Sequence, residues 1–304
     1  MRAGVIGMTT ISTGSNHYSR VLVAALAAAL VAAALVVLAS SPALAATSTI
    51  QDADREHTQY GNWMFTQDVG VSGGWESTTR TPGANAILKF KGTSVTWKTI
   101  TYDGGGVTDV FLDGKKVASF DGYSSTQQNN VTGFSRKGLP KGKHTLKLVV
   151  TGLKHPGTFG DIFTILDRFI VDGTTIQDDS RKIAYDGWSA SSNAKASGGT
   201  YRQGTSKTLG ARCGMFSGST EIDLITATGP TRGTATVRVL DISTNNSVAK
   251  EETVDLHSST VEWQHHVPVT GLQTNKIYIL EVVSADGTPV VFDGCVGSVS
   301  GRIN

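Results

Sequence analysis

Tyr60-Gly61-Asn62-Trp63 returns 125 residues later as Tyr185-Asp186-Gly187-Trp188. Working outward, Ser72-Gly73-Gly74 returns as Ser197-Gly198-Gly199 and Gly83-Ala84 as Gly210-Ala211. Phe90-Lys91-Gly92 returns as Phe216-Ser217-Gly218, Gly138-Leu139 as Gly271-Leu272, and Ile165-Leu166-Asp167 as Val291-Phe292-Asp293. The spacing drifts between matched pairs, as expected when two copies of one domain keep their strands and vary their loops. A period this long is a whole domain with its own core, not a solenoid repeat.

Each copy lacks helical periodicity. Val95 and Trp97 alternate with Thr96 and Lys98, and Leu146, Leu148 and Val150 alternate with polar neighbours. Such alternation marks strands with one buried face. Asp113-Gly114 between Val110-Phe111-Leu112 and Lys115-Lys116-Val117 marks a two-residue hairpin turn. Short strands with Gly- and Asp-rich turns indicate an all-β fold: two tandem antiparallel β-sandwich, or jelly-roll, domains. The expected boundaries are 46–176 for the first and 177–304 for the second.

Residues 1–45 stand outside this pattern. Arg20 precedes eighteen residues without a polar side chain, Val21 to Leu38, and Ala43-Leu44-Ala45 supplies a small-x-small cleavage site. That is a secretory signal peptide, and its Ala-rich core resembles those of high-GC Gram-positive, actinobacterial proteins. The protein is therefore expected outside the cell, with no membrane attachment after cleavage. The whole chain carries 27 Lys+Arg and 25 Asp+Glu; loss of Arg2 and Arg20 leaves 25 of each. A neutral chain is a poor partner for nucleic acid, whose binding requires Lys and Arg to neutralise phosphates. The two cysteines, Cys213 and Cys295, read as a disulfide in an exported protein. At an offset of 126 they match Ile87 and Phe169 of the first copy. A contacting pair there would place the cysteines in contact too.

The order Tyr-x-x-Trp, Ser-Gly-Gly, Gly-Ala, Phe-x-Gly, Gly-x-x-x-Val (Gly106 to Val110; Gly233 to Val237), Gly-Leu and a last-strand Asp resembles the galactose-binding-like β-sandwich modules of secreted bacterial proteins. The first copy adds Leu112-Asp113-Gly114, Asp121-Gly122-Tyr123 and His144-Thr145-Leu146-Lys147-Leu148; the second lacks the Asp-Gly turn and the His-Thr-Leu-Lys run. Many such modules bind carbohydrate beside glycoside hydrolases, so the resemblance implies a non-catalytic, carbohydrate-binding role toward polysaccharide or cell-envelope glycan. The fold also serves as a structural or adhesive protein-binding scaffold, which is the runner-up reading, with a glycan-active hydrolase third.

Sugar rings stack on aromatic side chains, and their hydroxyls pair with planar polar groups. Candidate ligand residues are therefore aromatic or polar, beside glycine turns, and found in one copy only: Trp75, Tyr102, Asp103 and Tyr123 in the first, Tyr201, Arg202, Arg232 and His257 in the second. Tyr60, Trp63, Tyr185 and Trp188 occur in both copies and are expected in the core. Related jelly rolls hold a structural calcium, for which Asp167 and Asp293 are candidates, but the six or more oxygens calcium needs are not recognisable here. No other metal or cofactor is expected. Gly70-Val71-Ser72-Gly73-Gly74 has the spacing of a nucleophile elbow without its strand-to-helix context. Loop carboxylates such as Asp52, Asp54, Asp103 and Asp161 lie in no glycosidase motif. His265-His266 on a strand would point to opposite faces and chelate poorly. No enzyme is expected.

Overall fold

The computed structural model describes residues 47–51, 53–158 and 162–298. The signal segment expected at 1–45 lies outside the described residues. Those residues form strands and three one-turn 3-10 segments, and among them no helix is long and apolar enough to cross a membrane. The architecture is all-β, built from antiparallel sheets.

Two lobes can be followed from strand pairing. In lobe one, Asn85–Gly92, Gly142–Lys154, Gly106–Leu112 and Lys115–Asp121 pair in that order. A second sheet runs Arg168–Val171, Val95–Thr101, Gln128–Arg136. Alternation sends Leu88, Val110, Leu146 and Leu148 of the first sheet, and Val95, Trp97 and Phe169 of the second, into one core; none is more than 1 % exposed. Lobe two repeats this with Ala211–Ser217, Ile277–Ser284, Thr234–Asp241 and Ser247–Asp255 against Gly294–Ser298, Glu221–Thr228 and Glu262–Thr270. The Asp113-Gly114 turn has positive φ at both residues (49° and 80°), the twist-matched hairpin geometry expected of Asp-Gly.

The chain ends of the repeats are exchanged. Thr174–Gln177 pairs with Arg168–Val171, Ile176 opposite Phe169. Its counterpart, Thr47–Gln51, pairs with the far end of the chain, Ile50 opposite Cys295. Likewise Ile183–Tyr185 lies on Asn85–Gly92 with Tyr185 opposite Ala86, and Thr58–Tyr60 lies on Ala211–Ser217 with Tyr60 opposite Ala211. Pairing therefore crosses the 176/177 boundary in both directions. Lobe one is the continuous stretch 63–185, whereas lobe two is 188–298 closed by 47–60. The buried residues of both form one connected core.

The crossover points are the two Tyr-x-x-Trp turns, and they meet. Gly61 N donates to Gly210 O (2.9 Å), and Asp186 N donates to Asn85 O (3.0 Å). The Asp186 carboxylate, 4 % exposed, accepts from Asn62 N (2.8 Å) and Asn85 N (2.7 Å). Gly61 has φ 61°, and a Cβ there would fall 2.3 Å from that of Asp186, so only glycine fits. Around this point Trp63 packs on Tyr185 (5.2 Å) and Tyr60 on Trp188 (6.4 Å). None of the four exceeds 1 % exposure, so the repeated aromatics are core residues.

The repeated Asp has a structural task in both lobes. Asp167 accepts from Ser72 N (3.1 Å) and Asp293 from Ser197 N (2.9 Å), fixing the Ser-Gly-Gly turns at Gly73 φ 76° and Gly198 φ 68°. Among the described residues no three His, Cys, Asp or Glu side chains gather as a metal site.

Cys213 and Cys295 form a disulfide, Cα–Cα 6.7 Å. The residue matched to Cys213 is Leu88, however, and not Ile87. Leu88 faces Ile183 as Cys213 faces Thr58, and Leu88 is fully buried while Ile87 is half-buried. A bulge at Gly214 (φ 79°) inserts one residue between Cys213 and Phe216 and shifts the sequence alignment by one. The bond closes a loop of 82 residues. Reduction under otherwise native conditions is expected to cost about 4 kcal/mol. An unchanged urea midpoint with reductant would count against that contribution.

Candidate functional site

On the outward face of Trp63–Gln67 and Trp75–Thr79 the chain leaves a pocket of about 300 Å3. Alternation decides its lining. Phe65 and Ser77 point into the core, so Met64, Thr66, Glu76 and Thr78 point out, with Thr66 opposite Glu76 and Met64 opposite Thr78. Asp68, Tyr102, Gln127, Ile100, Phe163 and Ile165 complete the walls.

Glu76 dominates the electrostatics. It is 6 % exposed, and its Oε2 has no hydrogen-bond partner among the described residues. Burial, and then the charges of Asp68, Asp167 and Asp178, push its carboxyl up to about 8. Burial, with Glu76 and Asp103, pushes the Tyr102 phenol up to about 12. At neutral pH the pocket therefore presents a protonated carboxyl and a phenol as donors, the Gln127 amide, and an apolar wall.

The matching surface of lobe two has different chemistry. Strand register puts Tyr201 at the place of Glu76 and Gln203 at that of Thr78. Tyr201 lies against Trp263, ring centroids 4.9 Å apart. Arg232 Nη1 donates to Gln203 Oε1 (3.5 Å), and burial lowers the Arg232 pKa. His257 is exposed on the segment bridged to Gly229, and a Cβ on Gly229 would lie 3.9 Å from Arg232 Cγ.

The candidates named from sequence thus divide. Tyr102 lines the first pocket, and Tyr201 and Arg232 share the second surface. Trp75 is turned away. It sits one residue from Glu76 on the same strand, packs on the core, and has the Arg55 guanidinium 5.7 Å from its ring. Asp103 is exposed and lies outside the pocket lining. Tyr123 is bridged to Tyr102 through backbone, but one ring face is covered by His155 in a parallel stack at 4.0 Å. Arg202 is 3 % exposed, with its guanidinium 4.2 Å from the Tyr60 ring centroid; it occupies the inward position of Ser77 and cannot meet a ligand. Sequence reading missed Glu76, Gln127 and Trp263. The available signal was positional: Glu76 and Tyr201 occupy one repeat position in a strand and differ in chemistry.

The catalytic motifs dissolve in this context. Ser72 is in a one-turn segment followed by a strand, and its Oγ accepts from Gln177 Nε2 (3.0 Å). His265 pairs with Glu262 and His266 with Asp223, so the two rings do not converge.

No protein-family model and no curated protein matches the sequence. Among solved structures, a Paenibacillus xanthan lyase aligns with 84 % of this chain at 14 % identity and TM-score 0.29, over 27 % of its own length. The tandem CBM22 domains of Paenibacillus barcinonensis Xyn10C align with 83 % of this chain at 11 % identity and TM-score 0.24, over 96 % of theirs. A cycloalternan-forming enzyme from Listeria monocytogenes aligns with 78 % at 15 % identity and TM-score 0.27, over 22 % of its length. This chain spans about a quarter of the length of the two enzymes, and likeness at this level assigns no ligand.

Proposed function

We propose that the protein is a non-catalytic carbohydrate-binding protein acting on extracellular or cell-envelope glycans. The observation that carries this reading is the Glu76 pocket. A buried oxygen without a partner costs about 1–3 kcal/mol, and a ligand hydroxyl that reaches Glu76 Oε2 recovers it. Tyr102 and Gln127 add polar partners, while Met64, Ile100 and Phe163 offer apolar contact to sugar C–H groups. The Tyr201–Trp263 pair in lobe two supplies a stacking surface, and two modest sites on one chain raise avidity.

The test is native affinity electrophoresis through neutral polysaccharides. Retardation by at least one of them is expected. Tyr102→Ala and Trp263→Ala should each weaken it about tenfold, or ~1.4 kcal/mol, with melting temperatures near that of the wild type. If no polysaccharide retards the protein, the structural, protein-binding role takes its place.

One observation favours a second reading, a glycan-active hydrolase: Asp68 and Glu76 line the same pocket, one with its carboxyl raised. Glycosidases use two carboxyl groups in different protonation states. Turnover of a glycoside panel that Glu76→Gln abolishes would establish it.

A further inference from the structure

Lobe one carries a second opening, a cleft of about 820 Å3 far larger than the Glu76 pocket. Its apolar part is Phe90, Val171 and Ile176, all under 9 % exposed, and its rim holds Lys89, Lys91, Lys143 and Lys182, all exposed. Lys91 and Lys143 are directly opposite each other in the ladder between Asn85–Gly92 and Gly142–Lys154. Like charges in that position destabilise a sheet.

The other titratable groups facing the cleft do not neutralise the quartet. The Asp172 carboxylate is held in hydrogen bonds from Thr93 N, Ser94 N and both hydroxyls, 2.8–3.1 Å. Four lysines less this one carboxylate leave three positive charges. His144 is satisfied by Asp113 Oδ2 (2.7 Å) and Pro140 O (2.8 Å), so its charge is matched outside the cleft.

The fold itself does not require these lysines. In lobe two, Ser217 opposite Ile277 replaces the Lys91–Lys143 pair, Met215 takes the place of Lys89, and His57 that of Lys182. The positive charge is an addition peculiar to one lobe, placed around a cavity of ligand size.

We infer that this cleft binds an acidic glycan, its sugar rings against the apolar wall and its carboxylate or sulfate groups between the facing lysines. The charge assignment stands on the cleft alone; the sugar part rests on the glycan-binding reading above. Ammonium groups suit such anions as movable point charges. A nucleic acid fits less well. The four lysines are a local cluster at one cleft, and the whole chain's formal charge is only +2, whereas nucleic-acid binding needs an extended basic track along the phosphate backbone.

The experiment uses the full chain in affinity electrophoresis with polygalacturonate and dextran sulfate as acidic probes, and galactan and dextran as neutral counterparts. At least one acidic probe should retard the wild type, with retardation lost as salt rises from about 50 to about 200 mM. Lys91→Gln/Lys143→Gln should lose about tenfold or more in affinity while melting no lower than wild type, since it removes a like-charge pair. Lys89→Gln/Lys182→Gln should weaken the same probe independently. Lys250→Gln, on an exposed strand of lobe two, should leave acidic binding intact. Retardation by galactan or dextran but by neither acidic probe overturns this inference and leaves the glycan-binding reading standing. Lysine variants that bind as the wild type does, or tighter binding to duplex DNA than to either acidic probe, overturn it too.

Discussion

A chain lacking residues 46–60 is expected to lose lobe two entirely while lobe one stays folded. Thr47–Gln51 covers the edge of Gly294–Ser298, placing Ile50 (2 % exposed) opposite Cys295. Thr58–Tyr60 covers the edge of Ala211–Ser217, and Tyr60 touches Trp188 and Phe292 and underlies Arg202. Removing Ile50 and Tyr60 alone forfeits on the order of 5–10 kcal/mol of packing, against a margin of about 5–15 kcal/mol for a whole domain. It also exposes two sheet edges and leaves the Arg202 guanidinium buried without its aromatic partner. Lobe one contains its own closing strands, Thr174–Gln177 and Ile183–Tyr185. A fragment 62–186 should therefore fold alone, keeping Asp186 bonded to Asn62 and Asn85. Fragments 46–176 and 177–304 should each fail, because each carries strands whose partners lie in the other. Circular dichroism and amide dispersion distinguish these cases. A 177–304 fragment with its own cooperative melt would refute the exchange as a stability requirement.

This exchange could not be read from the sequence, although the repeat could. Alternation identifies a strand and its buried face, but not which edge it joins. The two Tyr-x-x-Trp turns are alike, so exchanged and unexchanged arrangements bury the same side chains against the same kinds of neighbour. What separates them is the meeting of Gly61 with Asp186, a contact between repeats that neither repeat reveals alone. The cysteine alignment failed by one residue for a related reason: a single glycine bulge changes register without disturbing the hydrophobic pattern. At the site, Trp75 and Glu76 are neighbours in one strand, and alternation guarantees that only one of them meets the pocket. The adjacent glycines favoured Trp75; the core on its side of the sheet decided for Glu76. Arg202 meets the sequence criterion of a planar polar group near a glycine turn in one copy only, but it fills an inward position over Tyr60. Tyr102, Tyr201 and Arg232 are the candidates whose positions place them at an outward surface, Tyr102 lining the Glu76 pocket and Tyr201 and Arg232 near Gln203 in lobe two.

Glu76→Gln is expected to stabilise the protein by about 4–5 kcal/mol at pH 9 and to change little at pH 4. Glu76 is held from the ordinary 4.5 up to about 8, chiefly by burial and then by Asp68, Asp167 and Asp178. Below pH 4.5 the side chain is protonated in both folded and unfolded chains, and a neutral amide is a close substitute. Between 4.5 and 8 the unfolded chain releases this proton and the folded one keeps it, so Glu76 alone lowers wild-type stability by roughly 1.4 kcal/mol per pH unit. Above pH 8 the folded chain carries the buried charge and the full difference has accrued. The glutamine variant avoids that cost. A shallower decline with pH should remain in the variant, because burial also raises Asp178, to about 7, against the lowering effect of Arg55 and Ser77. Urea unfolding at pH 4, 6, 7.5 and 9 measures both slopes. Parallel curves for wild type and variant would mean that Glu76 titrates normally, and the pocket would then hold an ionised carboxylate at neutral pH instead of a hydrogen-bond donor. In that case a ligand would have to supply its own donor to Glu76 Oε2, and binding to neutral glycans would strengthen through the acid range as the carboxylate ionises. With the carboxyl held protonated, binding should instead be level from about pH 5 to 7 and weaken as Glu76 loses its proton near pH 8.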